Sequence, residues 1–211
     1  MNNIPLLFHT MNIFHNKFVF LVFCLVIGVT KVISQEYVSD YDGNKYRTIK
    51  IGDQIWMAKN LNVTHYSNGK EIVSFCYDND TAYCSKYGRL YTWGSLNIEN
   101  ATDSMPGICP TNWHVPSDAE WDVMLDTIGG FRNGGNILRR GKYSDFNLRW
   151  GGNYQSELKI FSFIDKKVYF WSSSTFSSSA SWMRMTGSNM KNVNRSTAPK
   201  EYAFSIRCVK D

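Results

Sequence analysis

Residues 117–128 carry the hydrophobic pattern of an amphipathic helix. Apolar side chains recur at i, i+3, i+4 and i+7, which places them on one helical face: they are Trp121, Met124, Leu125 and Ile128. Ser117 followed by Glu120 matches a capping box, in which each side chain binds a free backbone N–H group of the first turn. Pro116 lies just before this cap, and the glycines from Gly129 onward favour a helix end. The pattern predicts one well-defined helix, near 117–128.

Alternating apolar and polar residues predict β-strands on both sides of this helix. Between residues 45 and 58, Ile49 and Ile51 alternate with polar residues and a Gly-Asp turn follows, which predicts a β-hairpin. Toward the C-terminal end, short aromatic or β-branched runs separated by polar loops predict antiparallel strands. These runs are "KVYFWSSS", "ASWMRM" and "YAFSIRCVK". The last run places three residues on one face, which we expect to be buried: Phe204, Ile206 and Cys208.

Other parts of the chain show no long period. The run "GRLYTWGSL" allows either a helix or a strand. The segment 129–166 contains Gly-rich turns, which predict a short helical piece near 135–140 and then long irregular loops. Together these patterns predict an α+β fold of antiparallel strands, the helix at 117–128 and long irregular loops.

The N-terminal residues have the features of an export signal. Lys17 precedes an apolar run from Phe18 to Val29, and the small residues Val32 and Ser34 suit signal cleavage. We therefore predict a signal peptide over residues 1–34 and a secreted or cell-surface protein. The apolar run is short for a membrane span, so we expect no stable transmembrane span after cleavage, with an uncleaved anchor as the alternative. Residues 35–211 have the length of a single domain.

The charge of the chain argues against nucleic acid as a partner. The sequence has 23 Lys and Arg against 18 Asp and Glu, and two of the lysines lie in the predicted signal peptide. The remaining domain carries a net charge of about +3 without a basic run. We predict no nucleic-acid partner and no cofactor.

The cysteine positions predict two disulfides. Four cysteines lie in the predicted domain: Cys76, Cys84, Cys109 and Cys208. An even number in an exported protein favours disulfides, and four cysteines allow three pairings. Cys76 and Cys84 flank one polar loop, so we pair them with each other, which leaves Cys109 with Cys208. The second bridge closes a loop of roughly 100 residues, which stabilises a fold by about 4–5 kcal/mol in the loop-entropy description.

Cys109, His114 and the acidic residues beside them have the composition of a catalytic cluster. A Cys109–His114 pair needs a free thiol, however, and the expected disulfide removes it. Their spacing does not match a structural zinc site, and the predicted domain has one other histidine, His65. Three carboxylates suit the favourable electrostatics of a helix N-terminus: they belong to Asp118, Glu120 and Asp122. We predict no catalytic residue and no metal site here.

The loop between Cys76 and Cys84 offers oxygen ligands from Asp78, Asn79 and Asp80. Calcium is therefore an alternative at this loop. The full twelve-residue calcium loop with its terminal glutamate is absent, so we favour a solvated turn.

A ligand site is predicted in the irregular region after residue 140, because loops on a rigid scaffold often carry binding residues. The candidate residues are Trp150, Asn153, Tyr154 and Glu157. Aromatic faces can stack on sugar rings. The alternative for Trp150 is that it anchors the loop to the core.

Several blocks of the sequence occur in the order found in one protein family. They are "DGNKYRTIKIGDQIWMAKNLN", "CYDND" followed by a second cysteine, "YGRLYTWGS", "GICPTNWHVPSDAEWDVML", "FWSSST" and "SIRCVKD". With these blocks, the chain resembles the Fibrobacter succinogenes major paralogous domain family from about residue 40 to residue 211.

The resemblance implies an exported bacterial protein that is related in fold to the C-type lectin-like domain. It also implies the long disulfide between Cys109, before the helix, and Cys208, in the last strand. Sugar-binding C-type lectins hold calcium with a Glu-Pro-Asn or Gln-Pro-Asp loop and a later Trp-Asn-Asp triplet. Neither motif occurs in this sequence, so the resemblance does not imply their calcium site.

We therefore expect a non-catalytic binding or adhesion domain at the bacterial cell surface, with a glycan or a cell-envelope protein as its partner. One alternative is a structural component of a surface assembly. The other is an enzyme similar to the sulfatase-modifying enzymes, whose specialised cysteines have no match here.

Overall fold

The computed structural model describes residues 36–97 and 107–211. The predicted signal peptide over residues 1–34 lies outside the described residues. In chain order the described strands are β1 (Tyr37–Ser39), β2 (Lys45–Ile51), β3 (Gln54–Met57), β4 (Ser74–Phe75), β5 (Leu90–Thr92), β6 (Trp113–His114), β7 (Gly151–Gln155), β8 (Ile160–Ile164), β9 (Lys167–Thr175), β10 (Ala180–Gly187), β11 (Asn194–Pro199), β12 (Ala203–Phe204) and β13 (Val209–Lys210).

The predicted hairpin is confirmed and forms the centre of the first sheet. β2 and β3 pair antiparallel, with Ile49 opposite Trp56. The turn between them contains Gly52 at φ +62°, a backbone conformation that favours glycine. The strand order of this sheet is β1-β2-β3-β13-β6, so the C-terminal strand lies between the hairpin and the strand that precedes the predicted helix.

The second sheet has the strand order β11-β10-β9-β7-β12-β5-β4, and β8 pairs with β7. Its pairs are antiparallel except for β7 with β9, where Gly152 lies opposite Val168. The runs predicted as strands from 167 onward are present as β9 and β10. The run "YAFSIRCVK" forms two short strands, β12 and β13, that belong to different sheets.

Three α-helices lie among the described residues, where the sequence predicted one well-defined helix and a short helical piece near 135–140. They are α1 (Thr81–Tyr87), α2 (Asp118–Thr127) and α3 (Phe131–Arg140). α2 is the predicted helix, and its capping box is present because Ser117 and Glu120 bind each other's backbone N–H groups. Within the described part of the chain, no helix is long and apolar enough to cross a membrane.

The prediction of long irregular loops after residue 140 is wrong in part. β7 and β8 form an antiparallel hairpin there, with Tyr154 opposite Phe161. α3 occupies all of 131–140, although its sequence contains Gly134 and Gly135. Both glycines are buried, and a Cβ on Gly135 would lie 2.7 Å from Thr186 Oγ1. The glycines therefore let α3 pack closely against β10 and the loop that follows it. This packing outweighs the low helix propensity of glycine.

Both predicted disulfides are confirmed. Cys76 is bonded to Cys84, and Cys109 is bonded to Cys208. The expected apolar face of the last run is buried, with Phe204, Ile206 and Cys208 almost inaccessible to solvent. The intervening Ser205 and Arg207 are buried as well, so this segment passes through the interior with both faces covered.

The interior contains two clusters of apolar side chains. The first includes Tyr91, Trp171 and Phe204, and the Trp171 and Phe204 ring centroids lie 4.4 Å apart. The second joins α2 to both sheets through Trp121, which lies 4.8 Å from Trp56 and 5.4 Å from Phe170 between ring centroids. Aromatic contacts of Trp121 therefore join the helix to both sheets.

Arg207 is fully buried next to Phe146 and Phe170 of the second cluster. Its Nε donates to Asn60 Oδ1 at 2.9 Å, and its Nη atoms donate to the carbonyl oxygens of Met57, Phe146 and Asn147. The guanidinium also lies 4.4 Å from the Phe146 ring centroid. Burial, with a smaller contribution from Arg149, lowers the pKa of Arg207 to about 9. Carbonyl dipoles and an aromatic face therefore stabilise this buried cation.

We expect the substitution Arg207→Met to destabilise the protein by about 3 kcal/mol or more, because it leaves buried carbonyl groups without donors. The measurement is urea unfolding with the disulfides intact. Arg140→Met is the matched control, because Arg140 is exposed, and we expect its unfolding midpoint to stay close to that of the wild type. Equal stability of the two variants would contradict the role assigned to Arg207.

Candidate functional site

The residues with the composition of a catalytic cluster form a structural network instead. Cys109 is held in its disulfide and carries no free thiol. His114 lies between two carboxylates, with Nε2 at 2.7 Å from Glu120 Oε1 and Nδ1 at 2.5 Å from Asp211 Oδ1. Ser117 Oγ donates to Glu120 Oε2 at 2.8 Å. The network therefore connects the first turn of α2 to the residue that follows β13.

The carboxylates hold His114 in its charged form. The hydrogen bond with Glu120 is the largest effect, burial opposes it, and Asp211 adds to it, which raises the pKa of His114 to about 9. For Glu120, burial alone favours the neutral acid, but hydrogen bonds from His114 and Ser117 outweigh it and lower the pKa to about 2. A charged imidazolium cannot accept a proton, so His114 is not a general base near neutral pH.

Asp118 and Asp122, two further acidic residues of α2, bind a buried arginine. Arg184 Nη2 donates to Asp118 Oδ1 at 2.6 Å and to Asp122 Oδ1 at 2.9 Å. Arg195 Nε donates to the second oxygen of Asp118 at 2.8 Å. Asp118 therefore joins α2 to β10 and β11, and Asp122 joins it to β10. That these residues are not catalytic stays a prediction.

The loop that offered oxygen ligands has Asp78, Asn79 and Asp80 at exposed positions. Asp80 caps α1, because its side chain accepts a hydrogen bond from Ala82 N at 2.8 Å. Within residues 36–97 and 107–211, no group of three or more His, Cys, Asp or Glu side chains is arranged to hold a metal ion.

The four predicted ligand-binding residues occupy different environments. Trp150 is partly buried and packs against the second apolar cluster, as in the alternative considered for it. Asn153 is buried, and Glu157 is exposed beside a shallow cavity that also involves Thr197 and Glu201. Tyr154 is partly exposed and contacts other aromatic rings. Their role in ligand binding stays a prediction, for which Tyr154 has the most suitable surroundings.

Tyr154 lies in the middle of a row of aromatic side chains that we call the aromatic band. Its members are Phe75, Tyr77, Tyr83, Tyr154 and Phe161. The Tyr154 ring centroid lies 4.6 Å from that of Phe75 and 4.6 Å from that of Phe161. Tyr77 continues the band, 5.2 Å from Phe161 and 5.5 Å from Tyr83 between centroids. All members except Tyr77 are partly exposed, so part of the band is accessible to solvent.

The position of the aromatic band is fixed by covalent and steric constraints. The Cys76–Cys84 disulfide joins the end of β4, which carries Phe75, to α1, which carries Tyr83. Gly152 has φ +67°, and a Cβ at this position would lie 2.9 Å from the Tyr77 ring. Glycine therefore lets β7 approach Tyr77 closely, and the rings are held by rigid elements.

A cleft beside the aromatic band is lined by cations, and we call it the basic cleft. Its cationic residues are Lys45, Lys59, Lys86 and Arg149, and none of its lining residues is acidic. Its volume is about 300 Å³. The cations come from β2, the segment after β3, α1 and the segment before β7, so they are far apart in the sequence. No local motif marks them, so this cleft could not be predicted from the sequence.

The floor of the basic cleft is formed by Asn60 and Gly88. Asn60 is buried and donates through Nδ2 to Tyr87 O at 2.8 Å and to Ser205 Oγ at 3.2 Å. Gly88 has φ +80°, and a Cβ there would lie 2.8 Å from the Asn60 Cβ. Any larger residue at position 88 would therefore displace the floor.

Comparison with known protein families gives one match. Residues 49–210 match the model of the family described as Fibrobacter succinogenes major domain. No curated protein matches the sequence.

The network at His114 predicts a defined pH dependence of stability. The pKa of His114 rises from 6.5 to about 9 on folding, so its contribution is complete below pH 6.5 and is lost as the pH rises through 9. The pKa of Glu120 falls from 4.5 to about 2, so its contribution is complete above pH 4.5 and is lost as the pH falls through 2. The two charges together stabilise the fold most between pH 4.5 and 6.5.

We expect the wild type to exceed His114→Gln in unfolding free energy at about pH 5.5 and the difference to shrink by about pH 9.5, because His114 loses its proton. Urea unfolding at both pH values measures it. Glu120→Gln is the second variant, because glutamine keeps the capping box but removes the carboxylate. We expect the unfolding free energy of this variant to depend less on pH than that of the wild type. A difference that does not change with pH would show that His114 is not charged in the fold.

Proposed function

Because the chain belongs to the Fibrobacter succinogenes major domain family, we propose that it is an exported, non-catalytic binding domain at the bacterial cell surface, with a glycan as its ligand and a C-type lectin-like fold. The family description names no activity, so the proposal rests on the geometry of the site. The aromatic band is the observation that carries it.

The aromatic band suits the binding of sugar rings. A pyranose ring presents C–H groups on its faces, and these pack on the faces of aromatic side chains. Tyr154 and its neighbours Phe75 and Phe161 form a partly exposed group of rings with no charged residue between them. Because a disulfide and a hairpin already hold the rings in place, the protein loses little conformational entropy when a ligand binds to them.

The described residues support binding rather than catalysis. All four of their cysteines are in disulfides, so the thiol that a cysteine mechanism needs is absent from this part of the chain. His114 is held as an imidazolium by Glu120 and Asp211. Asp118 and Asp122 of α2 neutralise Arg184. Each residue that suggested chemistry in the sequence therefore has a structural partner.

Export is supported by the covalent structure. Disulfides persist in oxidising compartments outside the cytosol, and the two bridges here join positions 8 and 99 residues apart. An exported domain also has access to glycans, which are abundant outside the cell membrane. The predicted signal peptide and the disulfides therefore both favour a location outside the cytosol.

We expect Tyr154→Ala to weaken binding to the glycan by at least about tenfold, because it removes the central ring of the aromatic band. A panel of immobilised polysaccharides, screened with and without EDTA, first identifies a ligand for the wild type. Isothermal titration then compares the variants on that ligand.

Two control variants accompany this measurement. Tyr154→Phe keeps the ring and should bind like the wild type. Phe131→Ala removes an exposed aromatic side chain outside the band and should also bind normally. If Tyr154→Ala binds as tightly as Phe131→Ala while both remain folded, the aromatic band is not the glycan site.

A further inference from the structure

We propose that the basic cleft binds an oxyanion of the glycan, a sulfate ester or a uronate carboxylate, while the aromatic band holds the sugar ring. The inference rests on the proposed function and deepens it, because it selects acidic polysaccharides as the ligand class. Four observations carry it: the charge of the lining, the lack of internal partners for its cations, the construction of its floor and its continuity with the aromatic band.

The lining of the basic cleft differs in charge from the rest of the domain. The chain has 23 basic and 18 acidic residues, so an average patch of its surface contains both signs. The cleft has four basic residues and no acidic ones. Cations of one sign in a concave site reinforce one another, and the low-dielectric walls focus the field on an anion inside.

Three of the four cations have no carboxylate partner among the described residues. The salt bridges there leave out Lys45, Lys59 and Arg149. Lys86 is paired with Asp165, but the two charged atoms lie 3.7 Å apart and both side chains are more than half exposed. Such a pair is weak in water. The four cations are therefore available to a ligand at little cost.

The floor adds positive charge from below. Asn60, which forms the floor, also accepts a hydrogen bond from Arg207 Nε, so the buried guanidinium lies directly behind it. Carboxylates next to the lining oppose this charge. Asp165 lies 3.7 Å from Lys86 Nζ and accepts a hydrogen bond from Tyr87, and Asp40 accepts three hydrogen bonds from Asn44 and Tyr46. Among the lining residues themselves, four are cationic and none is acidic.

α1 connects the basic cleft to the aromatic band. Tyr83 of the band stacks on Tyr87 at 6.1 Å between ring centroids, and Tyr87 lines the cleft. Lys86 Nζ lies 4.6 Å from the Tyr87 ring centroid. One glycan chain can therefore contact both sites. The cleft volume of about 300 Å³ lies at the small end of ligand pockets, which suits one charged group or one sugar residue.

The test compares two double variants that remove the same charge. Lys59→Gln with Arg149→Gln alters the basic cleft, and Lys50→Gln with Arg140→Gln removes two cations outside it. Lys59→Gln alone is included because Lys59 is exposed and its substitution does not disturb the fold. The probes are dextran sulfate with dextran, and polygalacturonate with its methyl-esterified form, measured by isothermal titration at fixed ionic strength.

We expect the wild type to bind at least one anionic polymer more tightly than its neutral counterpart. The cleft double variant should lose about tenfold in affinity for that polymer, Lys59→Gln alone should lose part of it, and the control double variant should stay close to the wild type. Equal losses in the two double variants would overturn the basic cleft as the site, because they would show only the effect of net charge.

Two further outcomes separate the sources of failure. If the wild type binds neutral and anionic polymers equally and Tyr154→Ala loses both, the proposed function holds and the basic cleft is overturned. If no polymer binds, the proposed function fails and the inference fails with it. Titration of the protein with inorganic sulfate, with sodium chloride at matched ionic strength as the control, tests whether the oxyanion must be part of a polymer. Binding of free sulfate as tight as that of dextran sulfate would overturn the selection of a polymer.

Discussion

The buried guanidinium of Arg207 imposes the strongest constraint on this fold. A cation removed from water needs hydrogen-bond acceptors around it, and a charge without them would cost far more than one domain can offset. The protein supplies Asn60 Oδ1 and three main-chain carbonyl oxygens. Those carbonyls belong to the end of β3 and to the turn at Phe146 and Asn147, so three segments distant in sequence must meet at one side chain.

This constraint also reaches the surface. Asn60 binds Arg207 through its oxygen and binds Tyr87 and Ser205 through its nitrogen, so a single amide connects the core to the floor of the basic cleft. The neighbour of Arg207, Cys208, is bonded to Cys109 just before β6 and α2. The segment 203–210 therefore holds together both sheets, the helix and the candidate site. A binding surface supported in this way is rigid, which favours recognition without a large entropy cost.

Elements determined by nearby residues could be predicted from the sequence. The capping box of α2, the hairpin of β2 and β3 and the pairing of Cys76 with Cys84 each depend on residues a few positions apart. Elements determined by distant contacts were predicted less completely. Gly134 and Gly135 favour a turn in isolation, so the sequence predicted only a short helical piece near 135–140. α3 extends over 131–140, and its glycines let it approach Thr186 and Val193 closely. Gly151 and Gly152 obscured β7 in the same way, since their role is close approach to Tyr77 and Tyr87.

The same distinction applies to chemical groups. The sequence predicted no catalytic role for the cluster at Cys109, His114 and Glu120 and placed the ligand site after residue 140, whereas nothing in it marked the basic cleft. The start of a helix, its cap and a disulfide lie together in this segment, which is why Cys109, His114 and Glu120 are close in the chain. Each of these groups is bonded to a structural partner. The cations of the basic cleft are scattered from Lys45 to Arg149 and meet only in the fold. A group that already has a partner contributes to stability, whereas a group that the fold gathers and leaves without one is free to bind a ligand. We therefore base the proposed oxyanion site on charge that the fold gathers in a concave surface, and not on the density of reactive residues along the chain.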